Sequence, residues 1–326
     1  MSEQLRAGVI GVGHMGTNHA RIYRELPEAE LVGVHDADRS RSEEVADEFD
    51  TTAMALPELL SRVDVVSVAV PTVYHAETVR GCLDAGVHVL VEKPFVDDLS
   101  EGRALVELAN ERDLALQVGH VERFNPAVQT LADLRTELDV ISITANRLGP
   151  PVDRAIEDTV VFDLMVHDLD IVLSMLEADV ASVCAAGSLN GEYTTATLQA
   201  EDEVIGRLTA SRVTQEKVRE LTITAAECRV KLDYTAQSIE IHRSSLPEYV
   251  KDGDGVHHRH ESVVEQLYVE KREPLKNELA SFIDAARTGR EPLVTGEDGI
   301  RVLELAREIE RSATRSTEAS QQVIEL

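Results

Sequence analysis

The chain has 326 residues, with 32 basic side chains against 60 acidic ones and a formal charge of −28. An apolar fraction of 43% with modest glycine and proline excludes a wholly disordered or collagen-like chain. The charge excludes unassisted grip on nucleic acid or an anionic membrane, which needs clustered Lys and Arg. No run reaches the ~18 apolar residues of a membrane span, and no charged-then-apolar signal segment opens the sequence, so a soluble, cytoplasmic protein is expected.

This length is at the upper limit for one core, which favours two domains. Cys82, Cys184 and Cys228 are far apart and odd in number, and read as buried small apolar residues in a reducing compartment. Six lysines stand against 26 arginines. A strongly acidic, Lys-poor surface suits a salt-loving organism, where cytoplasmic salt screens the self-repulsion.

Over the first ~120 residues short apolar runs alternate with amphipathic stretches, the mark of successive βα units around a parallel sheet. Strands are expected at Ala7–Val12, Glu30–His35, Val63–Val70, Val87–Val91 and Ala115–Val118. Helices are expected near Met15–Leu26, Ser40–Phe49, Tyr74–Ala85 and Leu99–Arg112. From 122 on, Val140–Arg147, Ala181–Ser188, Thr194–Ala200, Val204–Val213, Leu221–Ala226 and Ile239–His242 are alternating or β-branched and fit a mostly antiparallel sheet. One long apolar helix is expected at Val160–Leu176, a mobile polar loop at Ser244–Glu261, and closing helices at Lys276–Thr288 and Glu297–Ser312. The fold class is thus an α/β doubly wound parallel sheet (1–121) followed by an α+β domain with an open, mostly antiparallel sheet (122–326). The closing helices have the option of packing back on the first domain.

Gly11-Val12-Gly13-His14-Met15-Gly16 is a G-x-G-x-x-G between a strand and a helix. Its glycines allow a tight turn, close backbone approach to a pyrophosphate and close helix–strand packing, with the helix N-terminus facing phosphate. Asp36 ends the second strand 20 positions beyond the last of these glycines, where a carboxylate can accept from ribose hydroxyls. It would repel a 2′-phosphate, favouring NAD over NADP. Arg39 and Arg41 partly offset that preference.

Gly86-Val87-His88-Val89-Leu90-Val91-Glu92-Lys93-Pro94 resembles the G-x-H-V-x-x-E-K-P signature of the glucose–fructose oxidoreductase/inositol dehydrogenase/MocA (Gfo/Idh/MocA) family. Val70-Pro71-Thr72 with His75 resembles that family's loop after its fourth strand. Gly119-His120-Val121-Glu122-Arg123-Phe124-Asn125-Pro126 resembles its entry into the second domain, and Asp163-Leu164-Met165-Val166-His167 its catalytic D-x-x-x-H helix. The resemblance spans nearly the whole chain. It implies cofactor contacts from Gly11, Gly13, His14, Met15, Gly16, Asp36, Arg39, Val70, Pro71, Thr72, His75, Glu92 and Lys93, and a cis bond before Pro94.

The residues agree with that placement. Lys93 follows a buried strand at the carboxyl edge of the sheet, where doubly wound folds bind ligands. A lysine retained where arginine dominates suggests proton exchange, which Arg cannot perform. Asp163 and His167 are four apart on a helix and share a face, so a carboxylate can tune an imidazole; Asp168 and Asp170 point elsewhere on the wheel. The family's logic then makes His167 the base for a sugar hydroxyl, Lys93 the stabiliser of the alkoxide or proton relay, and Asp163 the holder of the constellation. Hydride passes to NAD⁺, with the ammonium and imidazole brought together from different domains.

Glu122, Arg123 and Asn125 form a polar cluster suited to substrate, and Arg147 at a strand end could meet a diphosphate or be an ordinary surface arginine. The 118–126 segment, with His14, Asn18 and His19, resembles members that oxidise nucleotide-linked sugars, the UDP-N-acetylhexosamine 3-dehydrogenase-like branch. His257, His258 and His260 crowd one loop without companion ligands, and no metal is expected. The alternatives are a free aldose or inositol dehydrogenase and, from another class, a non-catalytic NAD-binding regulator. The uncovered face of an open sheet predicts a homodimer or homotetramer.

Overall fold

The computed structural model describes residues 4–151, 158–188, 191–244, 248–252, 255–259 and 262–323, of which 244, 248–252, 255–259 and 316–323 are described by backbone alone. The chain divides into two units, Met1–Phe124 with Arg272–Glu304 and Asn125–Lys271 with Leu305–Leu326.

The first unit opens with β1 (Leu5–Ile10), α1 (His14–Glu25), β2 (Ala29–His35) and α2 (Arg39–Glu48). A short β3 (Thr52–Ala53) and α3 (Leu56–Leu60) follow, then β4 (Val65–Val68) and, after a 3₁₀ turn at Thr72–Tyr74, α4 (His75–Asp84). β5 (His88–Glu92), α5 (Leu99–Glu111), β6 (Leu116–Gly119) and a 3₁₀ turn at Val121–Phe124 complete this stretch. The six strands are parallel in the order β3-β2-β1-β4-β5-β6. Strand order reverses between β1 and β4, which leaves a crevice beyond their carboxyl ends. β4 is buried along its whole length, as a sheet covered on both faces requires. Asp38 and Asp98 cap α2 and α5 by accepting the N–H of Ser40 and of Ser100 and Glu101.

The second unit begins with α6 (Pro126–Arg135), its Asn125 cap accepting from Ala127 N and its Pro126 at the first helical position. β7 (Val140–Leu148) follows. The expected Val160–Leu176 helix is instead a π turn at Val161–Met165 running into α7 (Val166–Met175). Apolar periodicity cannot separate a π turn from an α turn, because the two differ by one residue in a single turn. β8 (Val180–Ser188), β9 (Tyr193–Ala200), β10 (Ile205–Ser211), β11 (Val218–Ala225), β12 (Arg229–Asp233) and β13 (Ser238–Ser244) continue the sheet.

β14 (Glu248–Asp252) and β15 (Gly255–Arg259) pair antiparallel, so a hairpin replaces the mobile loop expected there. Backbone pairing, invisible in a polar composition, decides this. His260 lies outside the described residues, as do the side chains of His257 and His258. β16 (Ser262–Leu267) returns to the large sheet, whose order is β16-β13-β12-β11-β7-β10-β9-β8; β7 and β10 are parallel and the other neighbours antiparallel.

The last helices are α8 (Pro274–Thr288) and α9 (Gly296–Val323). α8 belongs to the first unit, where Leu279, Phe282 and Ile283 pack with Ile22, Tyr23 and Leu90 against the sheet. α9 starts in the first unit with Thr295 and Asp298 capping each other reciprocally, and from Leu305 on it belongs to the second. Cys82 and Cys228 are buried, whereas Cys184 is exposed, contrary to expectation: it sits on the outward-pointing register of the edge strand β8. No helix among the described residues is long and apolar enough to cross a membrane.

Candidate active site

The glycine loop lies at the switch point. Gly11 has φ +84° and donates its N–H to His35 O at 2.8 Å; a Cβ there would come within 2.8 Å of the Ala69 carbonyl and Val70. A Cβ on Gly16 would run into the Gly11 carbonyl oxygen. At Gly13, the cap of α1, a Cβ would meet nothing within 4 Å. α1 has no side-chain cap and no acidic residue in its first turn, so its terminal N–H groups present positive potential to that open space. This is a cradle of the shape and sign a pyrophosphate needs. His14 is exposed and Met15 half-buried at its rim.

Asp36 sits beside the loop, its Oδ2 accepting from Val12 N at 2.8 Å and its Oδ1 from Asp38 N at 2.9 Å. Each oxygen keeps a lone pair for a ribose hydroxyl. Arg39 points into solvent and pairs with Glu43. Arg41 is the arginine that reaches the loop, donating to Val12 O at 3.0 Å and Thr17 Oγ1 at 3.1 Å. Sequence spacing alone does not separate the two, since both lie in the first turn of α2.

Beyond β4, Val70 and Thr72 are half-buried and Pro71 exposed. His75 is buried, with Nε2 2.8 Å from Val70 O and Nδ1 2.9 Å from Pro94 O. Both ring nitrogens are thus taken up by main-chain carbonyls. The expected cofactor contact becomes a strut between the loops after β4 and β5. Lys93 is half-buried just past β5, followed by a cis bond to Pro94. Glu92 accepts from His19 Nε2 at 3.0 Å. Burial pushes the Glu92 carboxyl up, but the His19 hydrogen bond and charge, then the Lys93 charge, outweigh it and hold the group below the ordinary carboxylate range.

Glu122 and Arg123 are half-buried on the turn after β6, with Arg123 Nη2 3.8 Å from Asp298. Asn125 is buried in the second unit, its Nδ2 donating to Tyr234 O at 3.0 Å while Oδ1 caps α6; the side chain expected at a substrate is committed to structure.

Asp163 lies in the π turn and His167 in the first turn of α7, both half-buried. Arg212, which the sequence did not single out, follows β10 with Nη2 2.6 Å from Asp158 O and 3.7 Å from Asp163 Oδ2. Arg147 does not reach outward for a diphosphate. Its Nε and Nη2 meet the two Asp168 oxygens at 2.8 and 2.9 Å, and its guanidinium lies 5.1 Å from the Tyr234 ring centroid. Asp168 and Asp170 are buried. A strand-to-helix pair of this kind carries no sequence signal, because β7 and α7 are joined only by folding.

A doubly wound domain with a glycine loop and an acid at its switch point, joined to a second domain carrying an Asp-x-x-x-His, is the arrangement an NAD-binding oxidoreductase needs. Residues 5–120 match the model of the oxidoreductase family with an NAD-binding Rossmann fold, and residues 142–231 match the GFO/IDH/MocA C-terminal domain. A UDP-N-acetylglucosamine 3-dehydrogenase of Acidithiobacillus ferrooxidans is 33% identical over 310 residues, 94% of this chain and 96% of that protein. Its solved structure superimposes with a TM-score of 0.85 at 32% identity, over 95% of this chain and 98% of that one. An inositol 2-dehydrogenase of Rhizobium meliloti is 26% identical, over 97% of this chain and 99% of that protein. The chain belongs to the Gfo/Idh/MocA oxidoreductase family, and it is an NAD-dependent dehydrogenase.

Proposed function

We propose that this dehydrogenase oxidises the C3 hydroxyl of a UDP-linked N-acetylhexosamine. The observation that carries the substrate is the near-full-length similarity to a UDP-N-acetylglucosamine 3-dehydrogenase. The inositol dehydrogenases among its relatives support inositol oxidation as the second reading, at lower identity.

Gly11, Gly13, Gly16 and Asp36 hold the dinucleotide, with Arg41 bracing their loop. Bound NAD⁺ supplies the hydride acceptor. His167 takes the hydroxyl proton as the carbon–hydrogen bond gives up its electron pair as hydride, so that secondary alcohol becomes ketone. Lys93 stabilises the alkoxide, and Asp163 orients the base. Arg212, 3.7 Å from Asp163, helps hold that carboxylate in place. Glu122 and Arg123 are proposed as substrate contacts; Asn125 and Arg147 serve through the structures they hold.

One face of the large sheet packs on α6 and α7, while Ile205 and Val264 are exposed on the opposite register. This face is proposed as the surface of a homodimer or homotetramer, which light scattering reads as a multiple of 35.8 kDa. The charge of −28 fits a salt-rich cytoplasm, and the melting temperature is expected to rise as KCl is raised from ~0.1 M to molar levels.

The test is NADH formation with UDP-N-acetylhexosamines, free aldoses and inositols at molar KCl. Turnover confined to the UDP-sugar supports the reading, and turnover of inositol alone replaces it. NAD binding with no turnover of any of them favours the regulator. Lys93→Ala and His167→Ala are expected to abolish turnover while retaining bound NAD.

A further inference from the structure

α1 carries the pyrophosphate cradle at its N-terminus and, five residues after its first residue, a fully buried histidine. His19 lies with Ala20, Ile22 and Tyr23 among the helix's buried residues, where a polar ring is costly unless partnered. Its Nε2 is 3.0 Å from Glu92 Oε1, across 73 residues of sequence. The other oxygen, Oε2, accepts the backbone N–H of Lys93 at 3.3 Å. Gly119 on β6 makes room: a Cβ there would lie 3.2 Å from both the Glu92 Cα and Oε2. The carboxylate is therefore held between α1, the chain just past β5, and a strand position without a side chain.

We infer that His19 is a positioning residue for the reaction: it fixes the Glu92 carboxylate, and through that carboxylate it sets the place and the proton affinity of Lys93. The inference rests on the reading of Lys93 as the group that stabilises the alkoxide. With Glu92 ionised, Nε2–H of His19 is the donor. The groups acting on Glu92 are His19 from α1 and Lys93 itself, while β6 brings Gly119. Lys93 and the Glu92 carboxylate attract each other electrostatically, and an anion held in place favours the charged lysine. Because α1 also forms the cradle, the same helix ties cofactor binding to the placement of Lys93.

The scarcity of lysine makes the test direct. Reductive ¹³C-methylation labels six lysines, and the Lys93 signal is the one missing in Lys93→Arg. In Glu92→Gln the Lys93 titration midpoint is expected to fall by about one pH unit. In His19→Gln it is expected to move the same way by less, because the freed carboxylate swings away or takes up a proton. The limb of the kcat profile that belongs to Lys93 should move with it.

A Lys93 midpoint unchanged in both variants, with only Tm lowered, makes the pair structural and overturns the inference. If His19→Gln does not fold, the near-isosteric Glu92→Gln decides alone: an unchanged midpoint overturns the inference and a lowered one supports it. The titration needs no substrate. Absence of turnover in the unsubstituted protein counts against the dehydrogenase assignment, whereas an unmoved midpoint counts against the His19–Glu92 role.

Discussion

The Asp36 carboxylate accepts the main-chain N–H of Val12 at 2.8 Å, so the acid that would face the adenosine ribose also fastens the glycine loop to the end of β2. One side chain thereby shapes the loop and, in the proposed function, meets the ribose. Asp36→Ala removes a hydrogen bond to a charged acceptor together with the ribose contact. NAD affinity is expected to weaken about 10–100-fold, with NADP gaining relative to NAD. Fluorescence titration with both nucleotides measures the ratio; an unchanged NAD Kd would remove Asp36 from the site.

Two glycines of the same loop should part company. Gly13→Ala places a methyl in open space, so the fold should keep its melting temperature while NAD binding falls about tenfold or more as the methyl blocks the phosphate (~1.4 kcal/mol). Gly16→Ala drives a methyl into the Gly11 carbonyl, and the apoprotein itself should lose about 1–3 kcal/mol or more. Thermal melts without nucleotide separate the two, and equal melting temperatures would contradict the packing described.

The buried Arg147–Asp168 pair should behave as a unit. Asp168→Ala leaves an uncompensated guanidinium that is only 5% exposed, at a cost of about 3–5 kcal/mol. The double variant Arg147→Met/Asp168→Leu should regain much of that, since apolar groups of similar volume need no partner. Urea denaturation of the three proteins checks this, and a double variant no more stable than Asp168→Ala would deny the coupling.

Asp64 supplies a pH dependence with a definite sign. The Arg6 guanidinium, hydrogen-bonded to it at 2.6 and 3.0 Å, holds its carboxyl below the ordinary range against a smaller upward push from burial. A group lowered on folding contributes stability above its unfolded value of about 4 and loses that contribution as pH falls through the folded one. Arg6 is half exposed, so the contribution is within about 1 kcal/mol. Asp64→Asn should lower the urea midpoint slightly at pH 7, and the gap from the parent should close below about pH 4. A gap that widens in acid would reverse the assignment.

Much of the nucleotide domain was legible because its signals are local. β1, the glycine loop and α1 follow one another within about twenty residues, and Asp36 lies one βα unit further on. β12, β16 and the β14–β15 hairpin were not legible: with five or six residues each, these strands are too short for an alternating pattern to stand out. Within the site, Arg39 and Arg41 were indistinguishable by spacing, and only the fold turns Arg41 toward Val12. Arg212 gave no signal because its neighbour Asp163 is 49 positions away.

Alone, the sequence determined the class of domain, the nucleotide loop with its acid, and the candidates Lys93, Asp163 and His167, because each rests on spacing within one or two consecutive elements. The tertiary structure decided that His75 and Asn125 are struts, that Arg147 is spent on Asp168, and that His19 reaches Glu92. Those outcomes depend on which donors and acceptors folding seals away from water together, and a buried polar group must find its partner wherever the chain brings one.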